Sequence, residues 1–194
     1  MPETSILQRL KQDTQAVHAS LETHIDLFKR VRSDQSYRAL LESFYGLHHP
    51  YDSLIQGTAS EISPWLPDVR SRTRIEALRR DLGVLGNSTL NDLPQATIPS
   101  FQTTAEMFGC LYVLEGSTLG GQIISRHIRE TLNYTPENGC AFFSAYGSNV
   151  GEMWMKFRVG IEAYSESHPQ YNDDVIAFAT KTFQTFEQWI ARGQ

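Results

Sequence analysis

The sequence predicts an all-α protein folded as a single domain over residues 1–194, and three observations carry that expectation. Apolar residues recur every three or four positions through the long segments, the spacing that places them on one face of a helix. Turn formers gather instead in the connections, notably 87–100 and 133–146. Nowhere is there the sustained two-residue alternation that marks a half-buried strand.

From Ser5 to Lys29, the residues Leu7, Leu10, Val17, Leu21, Ile25 and Phe28 recur at helical spacing with polar residues between them, which predicts one continuous helix. Ser33 and Asp34 can cap a second helix, whose stripe includes Tyr37, Leu40, Leu41, Phe44, Tyr45 and Leu47. Pro50 is expected to kink or end it, with a resumption through Leu54 and Ile55. After Pro64 and Pro67, a third helix rich in arginine and leucine runs from Val69 to Leu85 and stops at Gly86 and Asn87. Its arginines Arg70, Arg72, Arg74, Arg79 and Arg80 read as an exposed face, with an acidic partner as the alternative. Residues 87–100, with Pro94 and Pro99, read as a surface connection. The next helix begins near Thr103 or Thr104 and passes through Met107, Phe108, Leu111, Leu114, Leu119, Ile123 and Ile128 to about Leu132. The turn-rich and aromatic stretch 133–146 follows. Asn149 then caps a helix through Trp154, Phe157 and Ile161, and the last helix runs from about Asn172 through Ile176, Phe183, Phe186 and Trp189.

Composition narrows the function classes. A chain of 194 residues with 40% hydrophobic content supports one well-buried core and is short for two domains. Charged residues make up 20%, the net charge is -5, and no block of one sign occurs, which argues against a nucleic-acid-binding module. Cys110 and Cys140 have no metal-like spacing and suggest neither a disulfide framework nor a zinc site, so a reducing compartment fits. Residues Met1–Leu10 lack the basic start, apolar centre and small-residue cleavage site of a secretory signal. No apolar run approaches a membrane span. The expectation is a soluble, cytoplasmic protein with neither nucleic acid nor membrane as partner.

The feature that breaks the pattern is Tyr112-Val-Leu-Glu-Gly116-Ser117-Thr118-Leu119-Gly120-Gly121-Gln122, which puts three glycines inside a predicted helix. Each costs roughly 1 kcal/mol relative to alanine, so close approach by a partner helix or a flat ligand must offset about 3 kcal/mol. Both readings stand at this point. A dinucleotide loop would need a strand before it, which the pattern does not supply. At about 100° per residue, Gly116, Ser117, Gly120 and Gly121 share a face roughly 140° wide. One hydroxyl among bare backbone makes that wall flat and lightly polar.

On the first helix, His18, Glu22 and Lys11 can look to the same side. A metal-binding histidine usually gives its other ring nitrogen to a carboxylate or carbonyl, and Glu22 is placed to receive it. Lys11 would meet an anionic group of the same ligand. A boundary histidine with no ligand has the same spacing, and His24 competes with His18 because it falls in the seam Leu10, Val17, His24. His48 and His49 precede Pro50 and read as decoration of a kink. His127 reads as part of a solvated face, and His168 as a loop residue; none of these four is assigned chemistry. Lys156 and Arg158 sit on a helix that would also border the pocket, with ordinary surface charge as the alternative.

Two stretches, Thr14-Gln-Ala-Val-His18-Ala-Ser-Leu21-Glu22 and Leu111-Tyr-Val-Leu-Glu-Gly116-Ser-Thr-Leu-Gly120-Gly121, together resemble the haem oxygenases of bacteria. The likeness extends to Asp81-Leu82 before Gly86, to Tyr146-Gly147, Val150-Gly151 and Trp154, and to Thr182-Phe183 and Trp189, nearly the whole chain. It is especially close to the biliverdin-producing subgroup associated with bacterial phytochromes. The resemblance implies a single all-helical domain with haem between a proximal and a distal helix. It makes His18 the proximal iron ligand, Glu22 the acceptor behind it, and Gly116, Ser117, Gly120 and Gly121 the distal helix over the oxygen-binding side. Lys11 matches a position that meets a haem propionate, Tyr112 is carried within the distal motif as a haem contact, and Lys156 and Arg158 lie in a helix that supplies further propionate partners. Ser117 stands where the animal-type pattern has an aspartate; its hydroxyl gives and takes one hydrogen bond each but holds no negative charge.

The implied reaction is oxidative opening of the porphyrin to biliverdin, ferrous iron and carbon monoxide. It uses O2 and electrons from an external reductase or ferredoxin. Haem b is then both substrate and cofactor, and a bacteriophytochrome is the implied receiver of biliverdin. A neutral imidazole avoids the strong electron push of a thiolate. Ser117 and backbone groups would position a proton-delivering water. Propionate orientation would choose the meso carbon, with the alpha position expected. Two rivals use the same helices: a haem-binding or haem-transfer protein without turnover, and a haem-free enzyme for a small thiazole, pyrimidine or quinone-like substrate.

Overall fold

In the computed structural model, which describes residues 5–87 and 89–191, the amino-terminal stretch predicted as one helix is three. They are α1 (Ile6–Asp13), α2 (Gln15–Ile25) and α3 (Leu27–Arg30). Residues 1–4, on which part of the reading of the amino terminus rests, lie outside the described residues. Two local events break the long helix. The Thr14 hydroxyl donates to the Leu10 carbonyl at 2.7 Å, a back-bond of the kind that bends helices. Asp26 takes a left-handed φ of 35°, which ends α2, and its carboxylate accepts the Lys29 amide to start α3.

The helix α4 (Asp34–Ile62) opens on Ser33 with a capping box and continues past Pro50 as one helix, so it does not end there. An interior proline costs about 3 kcal/mol. Against that, Tyr45, Leu47, Tyr51 and Ile55 on either side of Pro50 are all buried, and each full burial is worth about 1.5–3 kcal/mol. Packing therefore holds the helix that local chemistry would break.

The predicted helix from Val69 to Leu85 is instead a 3-10 turn at Val69–Arg72 followed by α5 (Ile75–Val84). The Asp52 carboxylate, reaching over from α4, accepts the amides of Arg74 and Ile75 at 2.7 and 2.8 Å and supplies the cap that restarts the helix. Nor is the arginine group a uniform exposed face. Arg72 and Arg74 are buried, at 4% and 7% exposure, drawn inward by Glu115. Buried guanidinium is tolerable only with such a partner.

The glycine-bearing helix is α6 (Thr104–Leu132), capped by Thr103 with Glu106 and ended by a left-handed Asn133, as the pattern predicts. After the turn-rich segment come α7 (Val150–Ser167) and α8 (Asn172–Ala191). Asn149 makes no side-chain cap; a 3-10 turn at Gly147–Asn149 leads into α7 instead. Among the described residues no strand forms, only isolated bridges at Thr135. No helix there is long and apolar enough to cross a membrane.

The core gathers around α6, which packs most extensively on α8. Gly109 makes that approach possible: an added Cβ would collide with the Val175 carbonyl and sit 2.9 Å from the Ala179 nitrogen. Trp189 of α8 donates its indole N–H to the Ser43 carbonyl of α4 at 2.8 Å, tying the last helix across the bundle.

Candidate active site

One cleft of about 670 Å³ opens between α2 with α3, α6, and the aromatic residues behind them. His18, Leu21, Ile25 and Phe28 form the first wall. Ser117, Gly120, Gly121, Ile123 and Ile124 of α6 form the second. Phe44 and His48 from α4, Phe142 and Phe143 from the 133–149 connection, and Phe186 from α8 close the back. The backbone leading into these phenylalanines is held by a carboxylate. Asp81 of α5 accepts the Ala141 and Phe142 amides, both at 2.8 Å, so a buried charge is spent fixing loop backbone. That gives the Asp81-Leu82 pair a structural purpose.

His18 is half exposed in the cleft, its ring 5.3 Å from that of Phe183. Its Nε2 lies 3.5 Å from Glu22 Oε1, a long contact one helical turn on, with Glu22 also exposed. His24 faces elsewhere. Its Nδ1 is 2.6 Å from Glu187 Oε1 on α8 and 2.9 Å from the Ser20 carbonyl, and it stands outside this cleft. Lys11, exposed on α1, also lies outside the lining.

The glycine face divides its labour. Across the roughly 140° arc the order is Gly116, Gly120, Ser117, Gly121. At one edge, a Cβ on Gly116 would sit 4.0 Å from the Trp154 ring of α7, an ordinary contact. At the other, a Cβ on Gly121 would run into the Phe143 carbonyl. Between them Gly120 faces open space. The two glycines therefore differ: packing against Phe143 requires Gly121 to be bare, whereas nothing in the fold crowds Gly120. Ser117 donates its hydroxyl to the Leu114 carbonyl at 2.7 Å, which leaves its oxygen as an acceptor toward the cleft.

Gly116, Tyr112, Lys156 and Arg158 are not part of the lining. Tyr112 packs against Trp154 at 6.1 Å, and Lys156 pairs with Glu152 of its own helix at 2.8 Å. The lysine that does line the cleft is Lys29, whose Nζ is 2.5 Å from Asp26 Oδ2.

Two cleft residues escape the sequence reading. His48 is no kink decoration but lies at the back of the cleft, 2% exposed, in edge contact with Phe142 and Phe186, with Nδ1 lacking a hydrogen-bond partner. One signal pointed there: His48 falls four residues after Phe44 on the buried face of its helix. Arg74 lines the cleft from its charged cluster. Its Nη2 is 3.2 Å from Glu115 Oε1, its guanidinium lies 4.1 Å over the Tyr146 ring, and the Tyr146 hydroxyl donates to the same carboxylate at 3.0 Å. Arg72 meets the other oxygen of Glu115 at 2.5 Å. No local pattern marks Arg74, because its partners lie far along the chain. His127, between exposed Arg126 and Arg129, is half-buried: its ring meets Phe28 edge-on at 5.0 Å and its Nε2 is buried without a hydrogen-bond partner.

Burial, reinforced by the Arg74 charge, pushes His48 down from 6.5 to about 3, so the imidazole is neutral in the fold. An unfolded chain takes up a proton below about pH 6.5, so this group withdraws stability as pH falls from 6.5 toward 3. His48→Phe is therefore expected to gain on the parent across that window and to show no such gain above pH 7. Denaturant titrations of both proteins at pH 4.5, 5.5 and 7.5 check it; a pH-independent difference would contradict the sign.

A helical protein whose cleft sets one exposed histidine on one wall and bare helix backbone on another belongs to the class that encloses a flat, mostly apolar ligand with a ligatable centre. The family model described as heme oxygenase matches residues 4–192. A heme oxygenase of Xanthomonas campestris pv. campestris (strain 8004) is 32% identical over 152 residues, covering 74% of this chain and 84% of that one. The chain belongs to the haem oxygenase family. Its fold is shared with the NO- and CO-bound heme oxygenase from Neisseria meningitidis, at a TM-score of 0.83 and 23% identity over 97% of this chain and 92% of that one. It is also shared with the heme oxygenase from Leptospira interrogans, at 0.77 and 17% over 97% and 100%.

Proposed function

We propose that this chain binds haem in the cleft and opens its ring to biliverdin, with release of ferrous iron and carbon monoxide. The observation that carries the proposal is the pairing of half-exposed His18 on α2 with open Gly120 and Ser117 on α6, in one cleft of about 670 Å³. The residues fit the group. A planar, apolar ring needs a wall without side chains, and Gly120 has nothing within 4 Å of where a Cβ would stand. Bound haem supplies the iron at which O2 is reduced and the porphyrin that is opened.

The chain's own part is to bind, orient and deliver protons. His18 would hold the iron through one ring nitrogen and offer the other to Glu22, an arrangement that raises ligand basicity. Gly116, Gly120 and Gly121 keep the distal side low. Ser117, with its hydroxyl proton engaged by Leu114, accepts a hydrogen bond from a cleft water, while Arg74 and neutral His48 flank the space behind it. Lys11, Tyr112, Lys156 and Arg158 are proposed as haem contacts outside the present lining, and Lys29 joins them as a cation at the rim. Electrons come from an external reductase or ferredoxin. The motif resemblance supports the bacterial biliverdin-producing type, working in the cytoplasm, with a bacteriophytochrome as receiver of the product and the alpha position as the point of opening.

The test is to add haem, then ascorbate or a ferredoxin system under air. A Soret band that decays into a biliverdin spectrum is the expected result. No band would overturn both haem readings in favour of a haem-free enzyme, and a band that survives a competent reductant would leave a haem carrier. Within the same assay, Ser117→Ala is expected to slow turnover with haem affinity nearly unchanged; unaltered rates would remove the serine from proton delivery.

A further inference from the structure

Away from the His18 wall the cleft is nearly without charge. Glu22, Asp26 and Lys29 carry charge along α2 and α3, but on the other walls Arg74 is the one charged lining side chain among the described residues. Ser117 holds no charge, and the buried His48 ring is neutral. Arg74 is also the end of a row. Asp68, partly exposed, takes Arg72 in a two-point grip, with Nε 2.8 Å from Oδ1 and Nη2 3.0 Å from Oδ2. Nη1 of Arg72 meets Oε2 of Glu115 at 2.5 Å, and Oε1 of Glu115 meets Nη2 of Arg74 at 3.2 Å. Charge therefore alternates from the surface inward, minus, plus, minus, plus, and the last plus lines the cleft. The four groups are neutral as a set but polarised toward the cleft.

Glu115 decides where that last charge stands. Its side chain is 1% exposed, too deep for water to take the place of its partners. Arg72 already has Asp68 as a counter-ion, so the Glu115 charge is left for Arg74. The Tyr146 hydroxyl donates to the same carboxylate at 3.0 Å, and the Arg74 guanidinium lies over the Tyr146 ring, 4.1 Å from its centroid. One carboxylate and one ring thus fix the edge and the face of the planar fork. Arg74 gives Nη1 to the Thr73 carbonyl at 3.4 Å and Nη2 to Glu115, two contacts from a group with five N–H donors, so donors remain for the cleft. We propose that Glu115 is a positioning residue that holds Arg74 as a fixed cation against the cleft, which makes the cleft favour small anions over neutral molecules of similar size. The proposal rests on the haem reading and deepens it. Negative charge that builds as O2 is reduced in the cleft meets a cation that is already in place and needs no reorganisation.

The experiment uses the ferric haem complex of the full chain at about pH 8.5, where azide is an anion and imidazole is neutral. Both are titrated against the Soret band, so each variant reports a ratio of two affinities. Arg74→Gln is expected to weaken azide about tenfold, the scale of one charge acting across a partly buried gap, with imidazole within about twofold. Arg74→Lys should keep most of the azide affinity. Glu115→Gln, which leaves every cleft-lining side chain in place, is expected to lose part of the same preference because Arg74 is no longer anchored. The C–O stretch of the ferrous carbon monoxide complex should rise in Arg74→Gln and Glu115→Gln and stay near the parent value in Arg74→Lys. Should Glu115→Gln fail to fold by circular dichroism, Glu115→Asp, which keeps the charge but shortens its reach, is measured in its place with the same expected direction. Equal losses of azide and imidazole in Arg74→Gln, or an azide preference that the Glu115 variant leaves untouched, overturn this proposal alone. Absence of any Soret complex overturns it together with the haem reading.

Discussion

His18→Ala is expected to abolish the native axial ligation and most haem turnover, while His24→Ala leaves the haem spectrum nearly unchanged. The asymmetry follows from what each ring already touches. His18 stands half exposed in the cleft with only a 3.5 Å contact to Glu22, so its lone pair is available. His24 is held at 2.6 Å by Glu187 and at 2.9 Å by the Ser20 carbonyl, outside that cleft. Unfolding does not confuse the outcome. A half-exposed side chain on a helix contributes within about 0.5 kcal/mol to stability, so the alanine variant keeps its fold and thermal midpoint. Added imidazole should restore an axial band to His18→Ala without restoring full turnover, because the free ligand is not anchored by the helix. Glu22→Gln occupies the middle ground, with iron affinity or activity down about 10–100-fold, the usual cost of removing a partner behind a metal ligand. Spectral titration with haem and a single-turnover assay separate these cases. A His24→Ala variant that loses the axial band while His18→Ala retains it would reverse the assignment.

The same two histidines show how far the sequence could be read. Helical periodicity placed α4, α6, α7 and α8 well, because those helices bury long apolar stripes that dominate local signals. It erred where a single side chain overrides the stripe: Thr14 and Asp26 break the first helix in ways that apolar spacing does not register. Pro50 misled in the opposite sense, since the burial that carries α4 through it comes from tertiary packing. In the site, His18, Glu22, Ser117, Gly120 and Gly121 stood in two compact motifs and are brought to one cleft. Arg74 was illegible because its burial depends on Glu115, and His48 because a histidine on an apolar face looks the same whether it fills a core or borders a cavity. Lys11, Tyr112, Lys156 and Arg158 remain proposals whose side chains point to other neighbours or to solvent.

The paired substitutions Gly120→Ala and Gly121→Ala are expected to move stability in opposite directions, which no account based on helix propensity alone allows. Both replace glycine by the best helix former, worth about 1 kcal/mol in favour of the variant. At Gly120 that gain is unopposed, because the new methyl enters open space, so the thermal midpoint without haem should rise. At Gly121 the methyl would collide with the Phe143 carbonyl, part of backbone that Asp81 pins through Ala141 and Phe142. Overpacking against rigid backbone costs typically about 1–3 kcal/mol, which exceeds the propensity gain, so that midpoint should fall. The haem readout discriminates further. Gly120→Ala places its methyl where the flat ligand would lie, so haem affinity or turnover should drop even as the protein becomes more stable, and Gly120→Leu should deepen the loss without unfolding. Gly121→Ala should harm haem binding only through its displaced Phe143. Differential scanning calorimetry with and without haem checks both. If Gly120→Ala stabilises the protein and leaves haem binding and turnover intact, the bare wall serves helix packing, and the ligand face of α6 must be sought elsewhere.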